Sequence, residues 1–129
     1  MPLEPAVRDL ATDKNFAVLT TLLPDGQPQT HVMWVDADDE HVIINTELHR
    51  QKFKNVARDP RVTVMIWDRR NPYRYVEVRG QVTDVVRGQK ARDHIDACSR
   101  RYLGKDYPTP IQSERVILKI TPDRVIPRL

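Results

Sequence analysis

Thr46-Glu-Leu-His-Arg-Gln-Lys-Phe-Lys-Asn-Val-Ala-Arg-Asp-Pro-Arg-Val-Thr-Val-Met-Ile-Trp67 is the stretch around which the rest of the chain is organised. The pattern predicts the end of a strand, a turn, a short basic helix and then an apolar strand. Asp59-Pro60 separates the helix from that strand, because the residue before a proline is disfavoured in helical conformation. The functional prediction concerns the start of this basic helix.

Basic residues are concentrated in and after the helix. Residues 50–74 carry eight basic and two acidic side chains, a net charge of +6, whereas the whole chain carries +3. A helix N-terminus presents free backbone N–H groups and a partial positive charge, so cations there are unfavourable unless an anion is bound. Arg50 and Lys52 are therefore predicted to bind a phosphate or several carboxylates. For Lys54 and Arg58 a solvated helix face explains the charge equally well.

The composition limits the class of protein. The chain has 129 residues, of which 40% are hydrophobic and 30% charged, which predicts one globular domain over residues 1–129. No apolar run has the length of a membrane span, and the N-terminus lacks the pattern of a signal peptide. A single cysteine excludes an internal disulfide and favours a cytoplasmic location.

The order of predicted elements indicates a mostly β protein with helices. Helices are predicted over Pro5–Thr12, Gln51–Arg58 and Gln89–Leu103, the last one ended by Gly104 as its C-terminal cap. Strands are predicted over residues 16–23, 27–36, 41–46, 62–67, 73–86 and 114–121, with a bend or bulge at Gly80. Residues 36–40 are interpreted as an acidic hairpin tip. Six strands with few helices predict a small antiparallel barrel.

No side-chain constellation for proton transfer is evident. The Gly-rich nucleotide motifs and the Gly-x-Ser-x-Gly motif are absent. None of the four histidines has another histidine at a metal-ligand spacing, and Cys98 on an apolar helix stripe is predicted to lie in the core, so no metal site is predicted. An enzyme with this sequence would take its chemistry from a bound organic cofactor.

A family resemblance rests on short motifs in a fixed order along nearly the whole chain. They are Phe16–Thr21, Asp25–Pro28, the strand that ends at Thr46, Arg50-x-Lys52-x-x-Asn55 followed by Asp59-Pro60, Tyr75–Gly80 and Arg101–Gly104. In this order the chain resembles the split-barrel flavin and deazaflavin family that includes pyridoxamine 5′-phosphate oxidase-like proteins. Within it, the chain is most similar to the small F420-dependent reductases of actinobacteria.

The resemblance implies a fold, a cofactor site and an assembly. The fold is a six-stranded antiparallel split β-barrel of the FMN-binding type. The family works as homodimers whose cofactor sites lie at the subunit interface. The resemblance also assigns residues to the cofactor: the phosphate would be bound by Thr46, Arg50 and Lys52 with Lys54 and Asn55 nearby, His31 and Met33 would lie along the ring, and Tyr75 would touch the cofactor.

The function that the resemblance implies is hydride transfer from reduced coenzyme F420 to an electron-poor double bond of a small molecule. An FMN-binding oxidase or flavin reductase is an alternative on the same fold. A non-enzymatic cofactor carrier or a haem- or nucleotide-binding module is another. Oxidation of pyridoxamine phosphate is disfavoured, because Arg50-Gln51-Lys52 replaces the Ser-Arg-Lys of the oxidases. Nucleic-acid binding ranks last, since only Trp67 and Tyr73 could stack on bases beside the basic helix.

Overall fold

Three helices and seven strands make up the part of the chain that the computed structural model describes, residues 2–129. They are α1 (Pro5–Thr12), β1 (Phe16–Leu22), β2 (Pro28–Trp34), β3 (Asp36–Ala37), β4 (Val42–Glu47), α2 (Gln51–Arg58), β5 (Arg61–Asp68), β6 (Asn71–Arg87), α3 (Gln89–Leu103) and β7 (Arg115–Arg128). The three helices have the bounds that the sequence predicts. No helix within these residues is both long and apolar enough to cross a membrane.

The strands form one antiparallel sheet that curls into a split barrel. Its order is β2-β1-β5-β6-β7-β4-β3, so β2 and β3 lie at opposite edges. Only Val35 separates these two strands in the chain, and its side chain is buried. The sheet therefore curls until its two edges come together at Val35. This confirms the predicted class, a mostly β, antiparallel split barrel.

The predicted number of six strands is wrong, because the acidic segment contributes a seventh. Asp36 and Ala37 pair with Ile43 and Val42 instead of forming a solvated hairpin tip. Asp36 can lie in this half-buried strand because Arg101 donates to its Oδ1 at 3.2 Å and His94 Nε2 lies 2.9 Å from its Oδ2. Both partners come from α3.

The last strand is longer than predicted. It continues past Thr121 to Arg128 and pairs with β6 as far as Tyr75. The predicted irregularity at Gly80 is confirmed by a register shift between Arg79 and Gly80. A Cβ on Gly80 would lie 2.2 Å from the Thr121 carbonyl oxygen, so the two backbones approach closely there.

Alternating side chains of the curled sheet fill the core, and α1 closes one end of it. On β5 the buried residues are Val62, Val64 and Ile66, as expected for a strand with one face toward the core. Tyr102 fixes α3 to the barrel, because its hydroxyl donates to the Asn15 carbonyl oxygen and accepts from the Val35 N–H at 3.3 Å. This attachment places one side of α3 opposite the start of α2.

Candidate functional site

A cavity of about 440 Å³ lies between the basic helix and α3. Its wall is formed by β2, β4, the start of α2, α3, the loop after α3 and the start of β7. The lining residues are Phe16, Val32, Met33, Trp34, Val35, Ile43, Asn45, Thr46, Arg50, Lys52, His94, Ile95, Cys98, Leu103, Tyr107, Pro108, Thr109 and Arg115. We call the part of the wall formed by Arg50, Lys52 and Arg115 the basic end, because the charges of the two arginines act on Lys52; the aromatic rings of Phe16, Trp34 and Tyr107 also line the cavity.

Lys52 is the central residue of the basic end. Its side chain is only 8% exposed, and it forms no ion pair with any acidic residue in the described chain. Burial, together with the charges of Arg50 and Arg115, lowers the pKa of Lys52 to about 8. A buried ammonium between two guanidinium groups is an unfavourable arrangement that an anion in the cavity would relieve.

The inward face of helix α2 presents Lys52 to the cavity. Lys52, Asn55 and Val56 are buried on this helix, whereas the apolar Ala57 is exposed. Asn55 anchors this face: its amide donates to Thr21 Oγ1 at 3.0 Å and to Gln29 Oε1 at 3.1 Å. Residues three apart lie on the same side of a helix, so this anchor also turns Lys52 inward.

Arg115 joins the basic end from the start of β7 and was not predicted from the sequence. Its Nε donates to Asn45 Oδ1 at 2.8 Å, and its NH1 group lies 3.4 Å from Glu47 Oε2. Both members of this ion pair are buried, with the Arg115 and Glu47 side chains 6% and 3% exposed. Glu47 Oε1 also accepts from the N–H groups of Gln112 and Ser113 at 2.9 and 2.8 Å. Glu47 therefore fixes both Arg115 and the loop that leads to it.

Four of the predicted site residues line the cavity together: Met33, Thr46, Arg50 and Lys52. Among the other four, Asn55 lies buried beneath α2, Lys54 is exposed on the outer side of that helix, and Tyr75 lies on β6 opposite Trp67. None of these three is a lining residue, so their contact with a cofactor stays a prediction.

His31, the fourth of these residues, lies on β2 and is not a lining residue of the cavity. It is nevertheless close enough to Lys52 and Arg50 for their charges to affect it. Partial removal from water, followed by the charges of Lys52 and Arg50, lowers the pKa of His31 below its usual 6.5. Its predicted contact with a cofactor ring also stays a prediction.

Aromatic side chains form a second part of the wall, and one of them contacts Arg115 of the basic end. Trp34 stacks on Tyr102 with ring centroids 4.9 Å apart and planes 5° from parallel. Tyr107 meets Trp34 edge-on at 6.1 Å, and the Arg115 guanidinium lies 5.2 Å from the centre of the Tyr107 ring. A flat, largely apolar group and an attached anion would match these two parts of the cavity.

A polar cluster of Asp36, His94 and Cys98 lies where α3 meets β3, with His94 and Cys98 on the cavity wall. His94 Nε2 is 2.9 Å from Asp36 Oδ2 and 3.4 Å from Cys98 Sγ. Burial disfavours the charged imidazole, but hydrogen bonds with Asp36 and Cys98 outweigh it and raise the pKa of His94 to about 9. The predicted burial of Cys98 is confirmed. The cluster has no local sequence signature, because 58 positions separate Asp36 from His94.

The curled antiparallel sheet and the cavity with a basic helix start place this chain in the class of split-barrel proteins. The family model for pyridoxamine 5′-phosphate oxidase matches residues 3–128. The chain therefore belongs to the pyridoxamine 5′-phosphate oxidase family. No curated protein matches its sequence.

Solved structures support the same assignment. A protein described as an F420 reductase is 31% identical, with a TM-score of 0.80 over 92% of this chain and 94% of its own. A conserved hypothetical protein from Mycobacterium tuberculosis is 25% identical, with a TM-score of 0.71 over 93% of this chain and 79% of its own. A pyridoxamine 5′-phosphate oxidase-related, FMN-binding protein from Nostoc punctiforme is 15% identical, with a TM-score of 0.66 over 95% of this chain and 83% of its own. The last comparison concerns the fold alone.

Proposed function

We propose that this protein is a homodimeric reductase that binds reduced coenzyme F420 and passes its hydride to an electron-poor small molecule. The observation that carries the proposal is the buried Lys52, which lines the cavity with Arg50 and Arg115 and has no acidic partner in the described chain; burial and the charges of the two arginines lower its pKa. The 31% identity to a protein described as an F420 reductase supports the choice of cofactor. Coenzyme F420 is the more highly charged candidate, because it carries a phosphate and a glutamate tail.

The residues of this chain would hold the cofactor and shield it from water. Lys52, Arg50 and Arg115 would bind the phosphate by charge-assisted hydrogen bonds, with the Thr46 hydroxyl at the end of β4 as a further donor. Lys54 would meet the anionic tail outside the cavity, and Asn55 would keep α2 in place. Met33 and His31 on β2 would lie along the ring, and Tyr75 would complete the site. The bound deazaflavin supplies the hydride.

An FMN-binding oxidase or flavin reductase is the second candidate. The family assignment supports it, because the family includes FMN-binding proteins. FMN also has a flat ring and a phosphate, so it suits both parts of the cavity. It differs from coenzyme F420 in lacking the glutamate tail. The exposed Lys54 and Arg50 therefore have more to contact in the deazaflavin than in FMN.

Parallel titrations of the purified protein with coenzyme F420 and with FMN, followed by fluorescence, test the proposal. We expect tighter binding of F420, followed by oxidation of the reduced coenzyme when enones or quinones are added. Tighter binding of FMN would transfer the assignment to the flavin branch. Binding of F420 without turnover of any acceptor would indicate a carrier. Binding of neither would contradict both cofactor proposals.

Anion binding at the basic end is expected to raise the pKa of His31. Lys52 and Arg50 lower this pKa in the free protein, and an anion between them would cancel part of their charge. An NMR titration of the histidine ring signals with and without inorganic phosphate measures the change. His41 pairs with Asp38, and its signals should not respond to phosphate. An unchanged His31 titration under saturating phosphate would contradict an anion site at Lys52.

The homodimer part of the proposal rests on apolar side chains exposed around the cavity. Val32 on β2 is 65% exposed and Leu103 at the end of α3 is 51% exposed, although both line the cavity. A second copy of this chain would cover them and complete the cavity from outside.

Val32→Lys is therefore expected to shift the protein from dimer to monomer. The substitution places a charge where the second copy would bury an apolar side chain, and it leaves the core of the barrel untouched. Sedimentation velocity measures the change in mass. Val85→Lys is the matched control, because Val85 is 39% exposed on β6 and is not a cavity residue. A native protein that sediments as a monomer at all concentrations would refute the homodimer.

A further inference from the structure

The cluster of Asp36, His94 and Cys98 has the composition of a transition-metal site. A carboxylate oxygen, an imidazole nitrogen and a thiol sulfur lie within 4.8 Å of one another. His94 and Cys98 are four residues apart on α3, so their side chains emerge on the same face of the helix. Asp36 approaches from β3, and its Oδ1 is held by Arg101 at 3.2 Å, which leaves Oδ2 directed at His94.

The three ligand atoms are close enough for one tetrahedral Zn²⁺ to join them after small side-chain movements. Ligand atoms at about 2.0–2.3 Å from a tetrahedral zinc ion are roughly 3.3–3.8 Å apart. In the protein, His94 Nε2 is 3.4 Å from Cys98 Sγ and 2.9 Å from Asp36 Oδ2. The Asp36 carboxylate, which is 26% exposed, would have to move by a few tenths of an ångström to admit the ion. Cys98 Sγ is also 3.8 Å from His94 Nδ1 and so lies beside the ring, and rotation of the Cys98 side chain would bring the sulfur in front of Nε2. The set of one N, one O and one S ligand favours zinc over the hard cations Mg²⁺ and Ca²⁺.

We propose that Asp36, His94 and Cys98 form a three-ligand binding site for Zn²⁺ on the wall of the cavity. Because His94 and Cys98 line the cavity, the fourth coordination position faces it and is open to water or a small ligand. None of the three ligands is among the residues assigned to the organic cofactor, and the existence of the site does not depend on which organic cofactor the protein binds.

Asn45 limits the affinity of this site. Its Oδ1 accepts from Arg115 Nε at 2.8 Å, and its amide nitrogen lies 2.9 Å from the Ala91 carbonyl oxygen, so the amide orientation is fixed. In the neutral imidazole, the same nitrogen therefore donates to His94 Nδ1 at 3.0 Å, which places the ring proton on Nε2; the charged imidazole, which the raised pKa favours at neutral pH, must first release one proton to solvent. Zn²⁺ at Nε2 requires the proton of the neutral ring to move to Nδ1, where it meets the Asn45 amide, and it also displaces the Cys98 thiol proton to solvent.

Because the Asn45 amide opposes a proton on His94 Nδ1, a substitution that removes this amide is expected to tighten zinc binding. Asn45→Asp would supply an acceptor for an Nδ1 proton while keeping an acceptor for Arg115. A carboxylate behind a ligating histidine commonly changes metal affinity by about 10–100-fold. Asn45→Asp is therefore expected to tighten Zn²⁺ binding by at least about tenfold, whereas a purely structural hydrogen-bond network would only be weakened by the change.

Titration with Co²⁺ and Zn²⁺ tests the site, with far-ultraviolet circular dichroism to verify that each variant folds. The native protein is expected to bind one equivalent of Co²⁺ with a sulfur-to-cobalt charge-transfer band, which Zn²⁺ abolishes. Cys98→Ala keeps a small apolar group in the core, and we expect it to lose the band; His94→Gln should lose at least about tenfold in affinity. His41→Gln is the control, because His41 lies beside Asp38 at a separate position.

Three results would overturn the proposal. One is a native protein that gives no sulfur-to-cobalt band at millimolar metal. Another is Zn²⁺ affinity that is unchanged in folded His94→Gln and Cys98→Ala proteins. The third is an equal loss of affinity in His41→Gln, which would place the metal elsewhere. None of these results depends on coenzyme F420, so failure of this site leaves the proposed function intact.

Discussion

A Lys52→Met protein is expected to be more stable than the native chain without ligand and to bind a phosphate-bearing cofactor more weakly. The native ammonium is 8% exposed and has its pKa lowered from 10.5 to about 8 by burial and by Arg50 and Arg115. At about 1.4 kcal/mol per pKa unit, the charged form costs roughly 3 kcal/mol of folding free energy at neutral pH. Methionine keeps the length of the side chain and removes this cost.

Cofactor affinity is expected to change in the opposite direction. A charge-assisted contact with a phosphate contributes about 1.5–3 kcal/mol, so its loss should weaken F420 or FMN binding by roughly tenfold to a hundredfold. Chemical denaturation measures the first effect and fluorescence titration the second. Lys90→Met, at an exposed position of α3, is the control for both. A less stable Lys52→Met protein with native affinity would mean that Lys52 has a structural role only.

The dependence on pH gives this prediction a second measurement. Because the folded pKa of Lys52 lies near 8 and the unfolded value is 10.5, the unfolded chain binds more protons between these two pH values. The contribution of Lys52 therefore makes the native protein more stable as pH rises from about 8 to about 10.5. Lys52→Met should lack this rise. The difference in stability between the two proteins should be largest below pH 8 and disappear above 10.5.

Local sequence signals were sufficient for the helices and for most of the sheet. Asp59-Pro60 and Gly104 mark the ends of two helices, and the alternation in Val62, Val64 and Ile66 identifies a strand with one buried face. These signals lie within a few residues of the elements that they define, so one sequence contains them in full. The number and kind of these elements predicted a small antiparallel barrel, and the family resemblance identified it as a split barrel.

The structure differs from the sequence-based predictions where residues distant in the chain determine the local structure. Asp36 looks like a loop residue until Arg101 of α3 is placed 3.2 Å from its carboxylate. The segment after Pro122 looks like a tail, but the long β6 provides a partner for it. Lys52 was assigned to the phosphate by its position in a motif, whereas its burial depends on the anchoring of Asn55 to β1 and β2.

The same reason explains why the buried ion pair of Glu47 and Arg115 was not predicted. These residues are 68 positions apart, and each has an unremarkable context in the sequence. Arg115 opens an apolar strand and Glu47 ends another, where a charged residue commonly faces solvent. Only the pairing of β4 with β7, in which Glu47 lies opposite Arg115, brings them together. The basic helix therefore supplies only part of the basic end of the cavity, because Arg115 comes from β7.

Glu47→Gln is expected to destabilise the protein by about 3–5 kcal/mol, because it leaves Arg115 buried without its acidic partner. The variant keeps an oxygen that can accept from the Gln112 and Ser113 N–H groups. The loss of stability therefore measures the removal of the negative charge and not the loss of hydrogen bonds to the loop. Glu114→Gln is the matched control: it breaks an ion pair with Arg87 whose side chains are 58% and 39% exposed, and it should change stability by less than about 1 kcal/mol. Equal effects of the two substitutions in urea denaturation would contradict a special role for Glu47.

Measurements at acid pH and with added anions test whether the lower stability of Glu47→Gln comes from the missing negative charge. Burial raises the pKa of Glu47, but hydrogen bonds from Ser113 and Gln112 and the charge of Arg115 lower it below the usual 4.5. Its contribution to stability is therefore complete above pH 4.5 and is lost as pH falls through the folded pKa, a loss that Glu47→Gln should not show. Removing the carboxylate also increases the positive charge around Lys52. Inorganic pyrophosphate should therefore raise the melting temperature of Glu47→Gln more than that of the native protein, since an anion in the cavity would replace the counter-charge that Arg115 has lost.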